Sequence, residues 1–264
     1  SSIPSERLTM IGSNDSVLPW HTLLTGMIFT QLYYWSTNQT ITQRALAATS
    51  LREAQKGCYA AALIRATLVP LIVVIPGLCA YVMWGEIGDA TYGRIVEAVL
   101  PKWLSGAFAA AMVAATMTSF NSSLNSSVAL YVCDIHQRYV NVNVKISRMN
   151  WMISIGFSLL AIGLVPLYSG ADSIIQLIQQ LIGLFSMPVL ASFITGLLFK
   201  GVDARAVIAS LVFGAVLYGF FTFVWTPLHF LHLMFITLWA CVGFALLLNR
   251  VVWKGHATLI RFGS

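Results

Sequence analysis

The amino-acid sequence predicts an all-α membrane protein. Of its 264 residues, 58% are hydrophobic and 9% are charged, whereas a soluble domain carries about 25% charged residues. Apolar stretches as long as a bilayer-crossing helix, about 20 residues, recur along the chain. The strict two-residue alternation of a lipid-facing β-barrel is absent from the sequence. The lipid bilayer is therefore a predicted partner of this chain.

We predict a polar extracellular loop over 1–17, followed by seven spans. The spans are 20–38, 58–84, 103–132, 149–168, 173–199, 206–226 and 229–249. The first span is unusually polar and the third is rich in hydroxyl groups. In the fifth, Gly183 and Pro188 predict an interrupted helix, a feature that often marks a transporter binding site. The last two spans are plainly apolar and are predicted to be scaffold within 201–264.

The distribution of positive charge predicts how the chain crosses the membrane. The net charge of +6 does not indicate a nucleic-acid partner, because most cationic residues lie on one side of the predicted spans, which sets the orientation. That side carries Arg44, Arg52, Lys56, Arg138, Lys145, Arg148, Lys200, Arg205, Arg250, Lys254 and Arg261, against Arg7, Arg94 and Lys102 on the other. We therefore predict an external amino terminus and a cytoplasmic carboxyl terminus.

The third span contains a dense stripe of oxygen-bearing side chains. Its members are Thr116, Thr118, Ser119, Ser122, Ser123, Asn125, Ser126 and Ser127. Because residues three and four apart share a helix face, Ala115, Thr118 and Ser119 offer a carbonyl and two hydroxyls on one patch. Hard cations prefer such oxygen ligands, which predicts a sodium site. The alternative is that the hydroxyls bond back to the preceding turn or join neighbouring helices.

The first span carries a possible solute-binding face. Gln31, Tyr34 and Asn38 follow helical spacing, and Trp35 lies beside Tyr34. An amide, a phenol and an indole on one face suit a polyhydroxylated ligand. The alternative is an aromatic belt at the membrane interface.

Two further polar residues fall inside apolar spans. Gln179 precedes the predicted interruption and is a candidate solute ligand, whereas Gln176 and Gln180 share another face. Arg65 lies about two turns into the second span. It either extends to the inner headgroups or faces a cavity and donates to solute hydroxyls or a carboxylate.

The sequence does not indicate an enzyme. The five histidines are scattered at span ends and in loops, and no Ser-His-Asp set, paired carboxylates or phosphate-binding glycine loop is present.

Several motifs resemble those of one transporter family. They are Tyr34-Trp35-x-x-Asn38-Gln39-x-x-x-Gln43-Arg44-x-Leu46-Ala47-Ala48, Glu53-Ala54-Gln55-Lys56-Gly57, Leu124-Asn125-Ser126, Asp134-Ile135 and Ile178-Gln179 ahead of Pro188. The chain from Pro19 onward resembles the sodium:solute symporters, especially their sodium/glucose and sodium/galactose branch.

The resemblance implies the inverted-repeat fold of the leucine-transporter type. Residues 18–200 resemble the helices of the second repeat, and two further helices follow within one transmembrane domain fragment. The missing amino-terminal half of the same protein is then a partner that supplies the remaining ligands.

The resemblance also implies roles for single residues. Ala115, Thr118 and Ser119 fall where the family binds sodium, the co-transported ion. Tyr34 matches an aromatic inner gate beside Trp35, and Gln31 stands where relatives carry asparagine or threonine. Gln179 matches a sugar-contacting glutamine, and Arg65 replaces a lysine.

We therefore expect a sodium-driven symporter of a monosaccharide in the plasma or inner membrane. Because of Arg65, a symporter of a carboxylate or sialic-acid-like solute is an alternative function. A sensor or structural module that resembles a symporter but does not transport also stays open.

Overall fold

The computed structural model describes residues 4, 8–9, 11–14, 16, 19–143, 145–169, 174–226 and 228–260. Most of the predicted loop 1–17 lies outside these residues, as do Arg7 and Arg261. The helices are α1 (Trp20–Thr22), α2 (Ile28–Ser36), α3 (Gln39–Leu46), α4 (Leu51–Trp84), α5 (Thr91–Val99), α6 (Lys102–Ala129), α7 (Ile146–Ser169), α8 (Ile174–Leu198), α9 (Ala204–Phe223) and α10 (Phe230–Val251).

Short elements connect these helices. A π-helical turn, Leu23–Met27, joins α1 to α2, a second one, Leu130–Val140, extends α6, and a 3-10 turn, Gly88–Ala90, precedes α5. Strands β1 (Phe199–Lys200) and β2 (Thr258–Leu259) pair antiparallel, with Phe199 opposite Leu259. The described chain is nearly all helical, which confirms the predicted fold class.

Within the described residues, six helical stretches are long and apolar enough to cross a bilayer, and they match the predicted second to seventh spans. The predicted first span is shorter than expected. Its three helical segments contain 3, 5 and 9 residues. The helix ends at Ser36 because the amides of Thr37 and Asn38 both donate to the Tyr33 carbonyl, at 3.0 and 3.2 Å. The three segments are consecutive and together contain 17 residues, at the lower end of the range of about 17 to 25 residues that cross a bilayer.

The chain folds as two compact units. The α3–α7 unit contains helices α3 to α7, and the α8–α10 unit contains α1, α2 and helices α8 to α10. In the α8–α10 unit the three long helices pack on one another, and Leu23–Met27 packs on α10. The core of this unit is formed by the buried side chains of Met187, Leu190, Ala191, Tyr218, Phe230, Leu231, Leu233, Met234, Leu238, Cys241 and Val242.

Two glycines allow the close packing of the α8–α10 unit. A Cβ atom added at Gly26 would overlap the Leu231 carbonyl, so the absence of a side chain lets the π-helical turn reach the α10 backbone. A Cβ atom added at Gly183 would overlap the ends of the Tyr218 and Met234 side chains. At both positions the absence of a side chain therefore lets two helical segments approach each other closely.

The predicted interruption at Pro188 is wrong. Helix α8 continues from Ile174 to Leu198 with Pro188 inside it. Pro188 is buried and packs where Gly214 of α9 leaves room, since a Cβ atom there would lie 2.8 Å from Pro188 Cγ. The Ser192 hydroxyl donates to the Pro188 carbonyl at 2.9 Å. Packing against a neighbouring helix of this kind lets a membrane helix accommodate proline.

The α3–α7 unit consists of long helices with defined ends and exposed sides. Helix α4 begins after Ser50, whose hydroxyl accepts the Glu53 amide at 3.3 Å. It ends at Gly85, which has a φ of +73° that favours glycine. Helix α3 packs on α4 and on α6, and α6 packs on α7. These contacts leave most of the side chains of α4, α6 and α7 exposed.

Candidate solute and sodium sites

The predicted sodium ligands lie on α6, in the α3–α7 unit. Ala115, Thr118 and Ser119 are exposed and share one helix face. The Thr118 hydroxyl donates to the Ala114 carbonyl at 2.8 Å, whereas the Ser119 hydroxyl makes no hydrogen bond within the described residues. A hydroxyl that donates its proton keeps its lone pairs. Both hydroxyl oxygens therefore remain able to accept a cation.

Like Thr118, five other hydroxyls of the stripe follow the alternative that the sequence left open, because they bond back to the preceding turn. Each of these hydroxyls donates to the carbonyl four residues earlier, at 2.8 to 3.1 Å. They belong to Thr116, Ser122, Ser123, Ser126 and Ser127. This local bonding leaves no donor of theirs unpaired, so an apolar helix can carry many hydroxyls. Ser119 differs from them because its hydroxyl is not bonded in this way.

The predicted solute face of α2 is exposed, as a binding face requires. Gln31, Tyr34 and Trp35 lie on it, whereas Asn38 of the predicted face lies beyond the end of α2 at Ser36. The Trp35 indole donates to Gln31 Oε1 at 3.3 Å, and the Tyr34 and Trp35 rings meet edge to face at 5.3 Å. These contacts fix the amide and the two aromatic rings relative to one another.

The opposite face of α2 anchors the helix in the α8–α10 unit. Thr30 is buried, and its hydroxyl lies within donating distance of two acceptors, the Gly26 carbonyl at 2.9 Å and Met234 Sδ at 3.3 Å. The Phe29 ring lies 5.5 Å from Phe235 of α10. The exposed solute face is therefore carried by a helix whose other face is fixed to a packed core.

Gln179 lies half-buried on α8, which packs against α2. The structure thus places the predicted solute residues of α2 and Gln179 on adjacent helices of one unit. Gln180 is half-buried and Gln176 is exposed. Arg65 is exposed on α4 of the other unit, and since α4 begins at Leu51, it lies about 21 Å along the helix axis from that end.

Two sets of polar contacts, one in each unit, were not predicted from the sequence. Arg44 of α3 donates to the Ser122 hydroxyl of α6 at 2.9 Å. In the α8–α10 unit, His21 Nδ1 lies 2.8 Å from His232 Nε2, and Thr25 Oγ1 lies 3.0 Å from His232 Nδ1. A signal for the histidine pair was available, because both residues fall at the predicted external ends of their spans.

Comparison with known proteins gives a consistent result. The model of the sodium:solute symporter family matches residues 7–214. The chain is 29% identical to an uncharacterized symporter, YidK, of Escherichia coli over 99% of its length and 47% of that protein. It is 31% identical to a sodium/glucose cotransporter of Vibrio parahaemolyticus over 82% of its length and 44% of that protein.

A third relative, a sodium/myo-inositol cotransporter 2 of Rattus norvegicus, is 28% identical over 76% of this chain and 33% of that protein. The chain spans about half or less of the length of the curated relatives it matches. Because the family model covers most of the chain and the described helices are those of a multi-pass membrane protein, this protein belongs to the sodium:solute symporter family.

Proposed function

We propose that this chain is part of a sodium-coupled symporter that carries a monosaccharide or a similar polyhydroxylated solute by alternating access. The relatives named for glucose and myo-inositol support this solute class. The observation that carries the proposal is the exposed oxygen set on α6, where the Thr118 and Ser119 hydroxyls keep lone pairs for a cation. The protein is proposed to lie in the cell membrane with its carboxyl terminus in the cytoplasm.

In this proposal the two units supply different ligands. The Ala115 carbonyl and the Thr118 and Ser119 hydroxyls hold sodium, and the α2 face with Gln179 contacts the solute. Hard cations such as Ca²⁺ and Mg²⁺ take about six or more oxygen ligands, so three oxygens are half of a site. The amino-terminal half of the protein is proposed to supply the rest, in keeping with the relatives' greater length.

Coupling between the two ligands follows from their shared effect on conformation. If sodium favours the outward-open state that the solute also favours, each ligand raises the affinity of the other by the same factor. Release of sodium and then of solute past Tyr34 to the inside resets the transporter.

The proposal is tested by uptake of labelled glucose and myo-inositol into proteoliposomes that contain the full-length protein. Thr118→Ala combined with Ser119→Ala is expected to abolish the sodium-dependent part of uptake, because two of the three oxygens are lost. Thr116→Ala is the matched control, since Thr116 is not among the proposed ligands and its hydroxyl donates to the Met112 carbonyl at 2.9 Å. Unchanged uptake in the double variant rejects the site.

The same assay separates the two solute classes. Sugars that compete with the labelled solute support the proposal. Carboxylates that compete better than sugars would instead assign an anionic solute, with Arg65 as its partner, because guanidinium pairs with carboxylate in a bidentate manner.

A further inference from the structure

A hydrogen bond joins helix α3 to the hydroxyl stripe of α6. Arg44 Nη2 donates to Ser122 Oγ at 2.9 Å, although the residues are 78 positions apart. The Ser122 hydroxyl donates in turn to the Thr118 carbonyl at 3.0 Å. A hydroxyl provides one donor and two acceptor sites, so one oxygen serves both bonds. The guanidinium is therefore connected through a single side chain to the backbone of a proposed sodium ligand.

The bond lies at one end of the proposed sodium site. Ser122 follows Ser119 by three residues and Thr118 by four, so it shares their face and lies about 6 Å further along the axis. In the predicted orientation α6 runs from the outside inward, and Arg44 follows the first predicted span on the side predicted to be cytoplasmic. Arg44 thus lies on the cytoplasmic side of the site.

The charge of Arg44 persists at this position. An arginine does not lose its proton in proteins, and no carboxylate forms an ion pair with Arg44 among the residues that the structure describes. On α4, which packs against α3, Glu53 pairs with Lys56 at 2.9 Å. A guanidinium and a sodium ion separated by about 6 to 10 Å repel each other. A neutral donor would connect α3 to α6 without this repulsion.

We propose that Arg44 is a positioning residue, a tethered cation at the cytoplasmic end of the sodium site that weakens sodium binding and speeds sodium release to the inside. The inference rests on the proposed function, because it requires sodium at Thr118 and Ser119. Ser122 holds the guanidinium in place. The Arg44–Ser122 bond places the guanidinium next to the cytoplasmic end of the proposed sodium site.

The test is binding of ²²Na⁺ to the purified full-length protein, together with the sodium dependence of labelled-glucose uptake in proteoliposomes. Arg44→Gln is expected to tighten sodium binding by about fivefold, since it removes one repelling charge. The maximal rate of uptake is expected to fall, because release becomes slower. Arg44→Lys keeps the charge and is expected to bind sodium close to the wild-type affinity.

Two further variants isolate the cause. Ser122→Ala removes the tether but keeps the charge, and sodium binding is expected to tighten in the same direction by a smaller factor. Arg52→Gln removes another cation predicted on the cytoplasmic side, which makes no hydrogen bond with the stripe among the described residues, and its sodium affinity is expected to stay unchanged. If Arg44→Gln does not fold, the sodium affinity of Ser122→Ala tests the inference in its place.

The outcomes separate this inference from the function on which it rests. If sodium binds the wild type, and Arg44→Gln and Ser122→Ala bind it with the wild-type affinity, the inference is overturned. Arg44 then only connects α3 to α6. A wild-type protein that binds no sodium overturns the proposed function and this inference with it. A tighter affinity in Arg44→Gln that Arg44→Lys reverses supports the tethered cation.

Discussion

The two compact units differ in how much of their apolar surface the chain itself covers. In the most apolar stretches of α8, α9 and α10, 39%, 28% and 44% of the residues are buried. In those of α4, α6 and α7 the values are 6%, 0% and 0%. The α8–α10 unit therefore has its own core, whereas the apolar surface of the α3–α7 unit depends on cover from lipid or from other protein.

This difference bears on where the proposed ligands lie. The solute face of α2 is fixed to a packed core, so its geometry follows from contacts within this chain. The sodium ligands of α6 lie on a helix that the chain barely covers. Lipid tails offer no partner to a hydroxyl, so the Ser119 hydroxyl, which makes no hydrogen bond within the described residues, requires polar cover.

Substitutions of two methionines test the comparison directly, and the largest effect is expected from one of them. Met234→Ala removes a fully buried side chain from the α8–α10 core and is expected to lower the free energy of unfolding by about 2 to 5 kcal/mol. Met117→Ala shortens a side chain of α6 that is 61% exposed, and its effect is expected to stay within about 0.5 kcal/mol. Thermal or denaturant unfolding of the full-length protein in detergent measures both.

Equal destabilisation by the two methionine variants would sharpen the comparison, because it would assign the cover of α6 to other protein. It would mean that α6 is as tightly packed in the folded protein as α10 is. The packing would then come from polypeptide outside this chain and not from detergent or lipid.

A smaller effect on the free energy of unfolding is expected from the substitution of a glycine, with a second glycine as its control. Gly26→Ala places a Cβ atom onto the Leu231 carbonyl, and overpacking of this kind costs about 1 to 3 kcal/mol. Gly77→Ala in α4 is the control, because no atom lies within 4 Å of the added Cβ. Since alanine favours helix over glycine, by about 1 kcal/mol, this control is expected to be neutral or stabilising in the same unfolding assay. A Gly26→Ala variant as stable as Gly77→Ala would show that α1 and α2 are not held against α10.

The sequence predicted the elements whose signal is local. Six spans were recognised because each is a long apolar run with few charges, and the motifs around Tyr34 and Glu53 indicated the family. The first span was predicted too long, because its polar end at Thr37 and Asn38 bonds to the Tyr33 carbonyl and leaves the helix. That bonding is not visible in hydropathy.

The errors concern contacts between distant residues. Pro188 predicted an interruption, yet the room that accommodates it comes from Gly214 on another helix. The bond from Arg44 of α3 to Ser122 spans 78 positions, and no spacing rule connects a cation to a hydroxyl that far away. In the stripe, spacing places Thr118 and Ser119 on one helix face. It does not reveal that the Ser119 hydroxyl lacks the bond to the preceding turn that the neighbouring hydroxyls make.

The central claim is that sodium is held by the α6 oxygens at Ala115, Thr118 and Ser119. Equilibrium binding of ²²Na⁺ to the purified full-length protein tests it without reference to any solute. The account predicts saturable binding in the wild type and in Thr116→Ala, and its loss in Thr118→Ala combined with Ser119→Ala. Undiminished sodium binding by a folded double variant would contradict the account.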